Sequence, residues 1–221
     1  MVVSGIVVAV EVMSLRPWNH NIHYHDLVLQ SAAAGCRRAL DVGCGGGLLA
    51  RRLAQHCEEV IAIDLDRDAI AEARAGGDLE GRIKFVEGDV MTYSLPDDNF
   101  ELIAAVATLH HLELRPALAR FRTLLRPGGV LAIIGLYRGA TLGDRVRAAI
   151  AFPVSWGLRA IRGYADVGAP VENPRETLLE IQSACDILLP GASLRRHLLF
   201  RYSLIWRKPA AESAAPSEEL S

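Results

Sequence analysis

Residues 39–50, ALDVGCGGGLLA, constrain the fold most, because an apolar strand breaks there into clustered glycines and then a helix. Ala39, Leu40 and Val42 end the strand, and Gly43, Gly45, Gly46 and Gly47 make the turn. Leu49, Leu53 and Cys57 then recur at helical spacing, which predicts a helix over 47–57. Glycines at this density permit positive φ and let a ligand lie against bare backbone. The helix start presents free N–H groups and a positive dipole end, a setting suited to an anionic group. Strand, glycine loop and helix in this order form a cradle for a small-molecule cofactor.

The glycine spacing narrows the choice of cofactor. Counted from Gly43, the last glycine of G-x-G-x-x-G falls on Leu48, and counted from Gly45 it falls on Ala50. A nicotinamide enzyme is therefore disfavoured, and no Gly-Lys-Ser/Thr follows to complete a phosphate loop. What stands instead is Asp41 followed by alternating Gly43, Gly45 and Gly47. VIAID ends on Asp64, where a carboxylate meets ribose hydroxyls in nucleotide-binding βαβ units. FVEGDV puts Asp89 behind a third strand, and LPDDNFELIAAVATLHHL and LRPGGVLAII supply a fourth strand and a turn into a fifth.

In this order, over residues 38–136, these segments resemble the class I S-adenosylmethionine-dependent methyltransferases of the small-molecule type. The resemblance implies a Rossmann-like α/β fold with a seven-stranded sheet. Its order would be 3-2-1-4-5-7-6, with strand 7 antiparallel and helices on both faces. It also implies S-adenosyl-L-methionine as cofactor and S-adenosyl-L-homocysteine as product. The residues matching the family's cofactor positions are Asp41, Gly43, Cys44, Gly45, Gly47, Asp64, Leu65, Gly88, Asp89, Val90 and Ala107. Among them Asp41 would hold the methionine amine, Asp64 the ribose and Asp89 the adenine amino group. Plainer roles compete: Asp41 as a cap of the glycine turn, Asp64 as a solvated strand end, and Gly88-Asp89 as ordinary turn chemistry. Asp66 and Asp68 fit the start of the following helix, where acids favour the dipole.

Composition excludes several classes. A chain of 221 residues, 51% apolar, fills one well-buried domain with little left for a second. A net charge of −2 argues against a surface that tracks phosphates. The fourth strand is followed by Ala107-Thr108-Leu109-His110 and lacks the Asn/Asp-Pro-Pro-Tyr/Phe motif of many nucleic-acid methyltransferases, so nucleic acid is not the expected partner. Cysteines at 36, 44, 57 and 185 form no CxxC and no metal pair, a usage expected of a reducing cytoplasm and not of a disulfide scaffold. No apolar run reaches the roughly 20 residues that span a bilayer.

Strands alternate with helices, as in a parallel sheet covered on both faces. Strands are expected at 38–43, 59–64, 82–87, 100–106 and 129–136, and helices near 47–57, 67–75 and 113–124. Residues 1–13 read as an apolar extension unrelated to catalysis, with Met13 as a competing start, and 209–221 as a disordered tail. The domain proper spans 14–208. Residues 140–163 read as an amphipathic helix interrupted at Pro153, and 174–188 as a helix opened by Asn173-Pro174. SLRRHLLF and RYSLIWRK read as a terminal antiparallel hairpin, with Arg195, Arg196, Arg201 and Arg207 on a solvated face.

Methyl transfer is largely positioning and desolvation, with a base needed when the acceptor carries a proton. His110 and His111 follow the fourth strand at the sheet's carboxyl edge, and only one of them can face it; the alternative is that both merely pack. His20, His23 and His25 complete no zinc pattern, so no metal is expected. Residues 14–35 read as a lid, with Trp18, His23 and Tyr24 toward cofactor or substrate, or as a surface helix with an aromatic staple. The 137–172 stretch, with Phe152, Trp156 and Tyr164, reads as a substrate-recognition insertion; packing of the sheet or a dimer partner is the plain alternative. The expectation is a monomer or homodimer that methylates a small, fairly hydrophobic metabolite, oxygen ahead of nitrogen or carbon, with no membrane partner. A fold relative that binds the cofactor for other chemistry, or in a structural role, is the rival reading.

Overall fold

The computed structural model describes residues 24–33, 35–139, 174–197 and 200–210. Seven strands are β1 (Cys36–Val42), β2 (Cys57–Asp64), β3 (Ile83–Glu87), β4 (Phe100–Val106), β5 (Leu125–Leu136), β6 (Ser193–Arg196) and β7 (Arg201–Arg207). They form one sheet in the order β3-β2-β1-β4-β5-β7-β6. The first five strands in that order run parallel, and β7 pairs antiparallel with both β5 and β6. The helices are α1 (His25–Ser31), α2 (Leu48–Leu53), α3 (Arg67–Ala75), α4 (Leu114–Leu124) and α5 (Leu178–Leu188). No helix among the described residues is long and apolar enough to cross a membrane.

Strand alternation sorts the core into two layers. Leu40, Val42, Ile61, Ile63, Ile103 and Ile133 point toward Phe121 of α4 and Ile181 of α5. Ala39, Val60, Ala62, Leu102, Ala104 and Ala132 point the other way, toward Leu49 and Leu53 of α2 and Ile70 of α3. Both faces being covered explains why the central strands read as nearly continuous apolar runs. At the amino edge, buried Glu101 accepts the Arg37 and Arg38 backbone amides at 3.0 and 2.5 Å and meets the Arg126 guanidinium at 3.3 Å. This ties the start of β1 to β4.

Several boundaries depart from the expectations. α2 stops at Leu53, and Cys57, expected as its last apolar position, instead opens β2. A chain reversal at 54–56 separates them, which helical periodicity alone does not mark. β5 takes in the Arg-Pro-Gly-Gly turn: its register slips between Phe100↔Leu125 and Leu102↔Val130, and Gly128 takes φ +78° inside the bulge. α5 begins four residues beyond Pro174, where Thr177 and Glu180 form a reciprocal capping box. Asp66 does cap α3, accepting the Asp68 and Ala69 amides. The arginines of the hairpin are not one solvated face, since Arg196 and Arg201 are half-buried while Arg195 and Arg207 are exposed. Cys36 and Cys57 open β1 and β2 as register partners, with Cα atoms 4.6 Å apart. Parallel pairing unites residues 21 apart, which linear spacing conceals.

Candidate functional site

Asp64 organises the carboxyl edge of the sheet. Its Oδ2 accepts the Gly45 amide at 2.8 Å and its Oδ1 the Asp66 amide at 2.9 Å. Its backbone carbonyl accepts the Gly88 amide at 2.9 Å. One residue thus joins the loops that follow β1, β2 and β3. The glycine loop is held from below as well, because the Gly43 and Cys44 amides both donate to the Ile63 carbonyl. Gly43 takes φ +69°, and a Cβ on it would lie 2.1 Å from Oγ1 of Thr108, so both the turn and the close approach require glycine. At Gly45 a Cβ would meet nothing within 4 Å. The loop faces open space there, where a ligand can lie.

Asp41 points to the same face as this loop. Its register neighbours are Ala62 and Ala104, and Ala104 pairs in turn with Ala132. Small side chains on either side let α2 settle close, leaving Asp41 only 1% exposed. Its Oδ2 has no hydrogen-bond partner. Burial, reinforced by the nearby Asp64 charge, pushes the Asp41 carboxyl up to about 7, against a smaller opposing pull from the Ala50 amide. Cys44 in the loop is also buried; that burial and the two aspartates push its thiol well above the usual range, so it stays protonated. The site therefore also has an acidic side beside the helix start. Two carboxylates flank a helix of only six residues, and the site calls for a cation or a hydrogen-bond donor.

Leu65, 75% exposed, stands beside Asp64, and Val90 is buried behind Asp89. Asp89 Oδ1 accepts the Met91 amide at 2.9 Å, so the turn role of this residue is realised. Ala107 leaves β4 at φ +56°, a left-handed conformation that reverses the chain into Thr108. Asp41, Gly43, Cys44, Gly45, Gly47, Asp64, Leu65, Gly88, Asp89, Val90 and Ala107 all lie at or beside the carboxyl ends of β1 to β4.

Beyond β4, a 3-10 turn at Leu109–His111 separates the two histidines by environment. His110 is buried, His111 is exposed, and their ring centroids are 4.0 Å apart. Tyr24 precedes α1 and is half-buried, its ring centroid 5.0 Å from that of His197. Burial raises the Tyr24 hydroxyl above its usual range, with Arg201 opposing. His197 Nε2 in turn hydrogen-bonds Ser203 Oγ at 2.8 Å, and Arg196 Nε donates to Tyr137 Oη at 2.6 Å. His197, Ser203 and Tyr137 were not legible as site residues. Tyr137 directly follows β5, and only the antiparallel pairing of β7 with β5 and β6 brings His197 and Ser203 near that end of the sheet; none of the three sits in a motif. Trp18, His23, Phe152, Trp156 and Tyr164, and with them most of the lid and the insertion, lie outside the described residues.

A family model described as a methyltransferase domain matches residues 40–133. The chain is 36% identical over 200 residues to an uncharacterized methyltransferase of Mycobacterium tuberculosis (strain ATCC 25618 / H37Rv), covering 88% of this chain and 98% of that one. It is 34% identical over 118 residues to a sterol 24-C-methyltransferase of Neurospora crassa, covering 50% of this chain and 31% of that one. Among solved structures, the N-methyltransferase NodS of Bradyrhizobium japonicum WM9 superposes with a TM-score of 0.55 at 20% identity, over 85% of this chain and 96% of that one. At that identity the likeness concerns the fold alone.

Proposed function

Because this chain belongs to the class I S-adenosylmethionine-dependent methyltransferases, we propose that it methylates a small, fairly nonpolar molecule, with oxygen ahead of nitrogen or carbon as acceptor atom. The observation that carries the cofactor half is the orphaned Asp41 Oδ2, buried beside a glycine loop that opens onto free space. A buried carboxylate without a partner is costly, and a ligand ammonium supplies both charge and donor. A dinucleotide pyrophosphate brings the wrong sign to a site flanked by Asp41 and Asp64. S-adenosylmethionine, when bound, supplies a methyl carbon on a sulfonium together with an ammonium and ribose hydroxyls.

The chain's own residues then have distinct tasks. Asp41 holds the ammonium, and Asp64 takes the ribose hydroxyls while keeping the glycine loop in place. Leu65 and Val90 offer apolar surface to the base, with Asp89 at its amino group. His110 and His111, beyond the end of β4, are the preferred groups to accept a proton from a hydroxyl acceptor, His110 first, with Tyr24 the next polar candidate. The remaining apolar character of the acceptor site is assigned to Phe152, Trp156 and Tyr164, as a monomer or homodimer. The sterol enzyme and NodS act, by their names, at carbon and at nitrogen, so acceptor atom is tested directly and not carried over. The experiment has two parts. Calorimetry should show binding of S-adenosylmethionine and S-adenosylhomocysteine and none of NAD; NAD binding alone overturns the cofactor assignment. A labelled-methyl transfer screen over hydrophobic phenols, acids and amines should show phenols or acids labelled first. Transfer confined to amines or carbon acceptors overturns the oxygen preference.

A further inference from the structure

We infer that Cys36 and Cys57 form an intrachain disulfide that staples the base of the cofactor loop, so that the fold's stability depends on redox state while the site's affinity does not. The two residues are the first register pair of adjacent strands, with Cα atoms 4.6 Å apart, inside the range that a disulfide spans without backbone movement. Both lie in the core beneath α2, at 1% and 3% exposure. Cys44 sits in the loop at the opposite edge and Cys185 on α5 against the other core layer, so neither competes for the bond.

The closed loop has a specific content. It runs from residue 36 to residue 57 and encloses β1, the glycine loop and α2. α2 has six residues, too few to be stable by its own hydrogen bonds, and relies on packing. Joining the ends of this segment restricts its unfolded conformations, which stabilises the native arrangement. Asp41 and Asp64 stand at the far ends of the same two strands, so the bond leaves their geometry alone. In the oxidation, two thiols yield one S–S bond, two protons and two electrons. Glutathione disulfide accepts them and leaves as two glutathione thiols. Because both sulfurs are buried, exchange occurs during folding or when the amino edge opens, and the closed bond is shielded from reductants.

The test uses the full chain, refolded either with glutathione disulfide or with a phosphine reductant. Thiol titration in denaturant should count two free thiols in the oxidised sample and all four in the reduced one. Trypsin separates the cysteines, since Arg37, Arg38, Arg51 and Arg52 intervene, and the Cys36 and Cys57 peptides should be recovered joined. The oxidised protein should melt several degrees higher, with S-adenosylhomocysteine affinity equal within about twofold. The doubly substituted Cys36→Ala, Cys57→Ala protein should lose the redox dependence of melting. Four free thiols after oxidation, a different pairing, or equal melting of both forms overturns the inference. Should the double variant fail to fold, the thiol count and peptide map of the unaltered chain still decide it. Loss of cofactor binding in both redox forms would count against the proposed function and not against the bond.

Discussion

Gly45 and Asp64 are joined by a 2.8 Å hydrogen bond in which the loop amide donates to a carboxylate from the neighbouring strand. The bond makes Asp64 both a support of the glycine loop and the strand-end acid beside it. Its Oδ1 meanwhile accepts the Asp66 amide, which sets the start of α3. Asp64→Ala is expected to weaken cofactor binding by about 1–3 kcal/mol, the cost of losing charged hydrogen bonds. Calorimetry on the folded variant is the check, and unchanged affinity returns Asp64 to a purely structural role.

Asp41 predicts a pH dependence whose sign is determined by its raised carboxyl. Between its ordinary value of 3.8 and about 7, the folded state holds a proton that the unfolded state has lost. Stability from this group is therefore complete below the ordinary value and declines as pH rises through about 7. Asp41→Asn should lack that decline, so its melting temperature should gain on the parent between pH 4 and pH 7. The same variant should bind S-adenosylmethionine more weakly. A constant difference in melting across this window contradicts the assignment.

Gly43→Ala should be strongly destabilising, because the added methyl meets the Thr108 side chain and φ is +69°. Thr108→Ala in the same chain should restore part of the loss. The left-handed backbone leaves a residual cost of roughly 1–2 kcal/mol. Denaturant melts of the single and double variants separate the two contributions; full rescue would mean that the backbone conformation costs nothing.

His110→Asn should lower kcat by about 10²–10⁴-fold with little change in cofactor affinity if the acceptor loses a proton in the transition state. His111→Asn, at an exposed position, should have a much smaller effect. Equal, small losses in both would assign the pair to packing.

Glu101→Ala tests the amino edge. The buried carboxylate accepts the Arg37 and Arg38 amides, and its loss leaves both backbone donors at the start of β1 without this acceptor. We expect a cost of about 1–3 kcal/mol in chemical denaturation, with cofactor affinity nearly unchanged. A selective loss of affinity would show that the two edges are coupled.

Much of this protein was legible in the chain because its information is local. A glycine cluster behind a strand needs positive φ whatever surrounds it, and apolar runs separated by helix-forming stretches call for a two-faced parallel sheet. Asp41, Gly43, Asp64 and Asp89 are recognisable because each stands a short distance from a strand end. Asp66 could be read as a helix start for the same reason.

What depends on strands meeting across the sheet was not legible. The isolation of Asp41 comes from alanines on β2, β4 and β5, and its raised carboxyl from Asp64 on β2. The pairing of Cys36 with Cys57 needs the parallel register of β1 and β2, and the approach of Tyr24 to His197 needs the antiparallel pairing of β6 with β7. Spacing along the chain reports torsional preference and the periodicity of burial. Charge, desolvation and covalent pairing depend on distances through space, and those arise only when distant segments pack together.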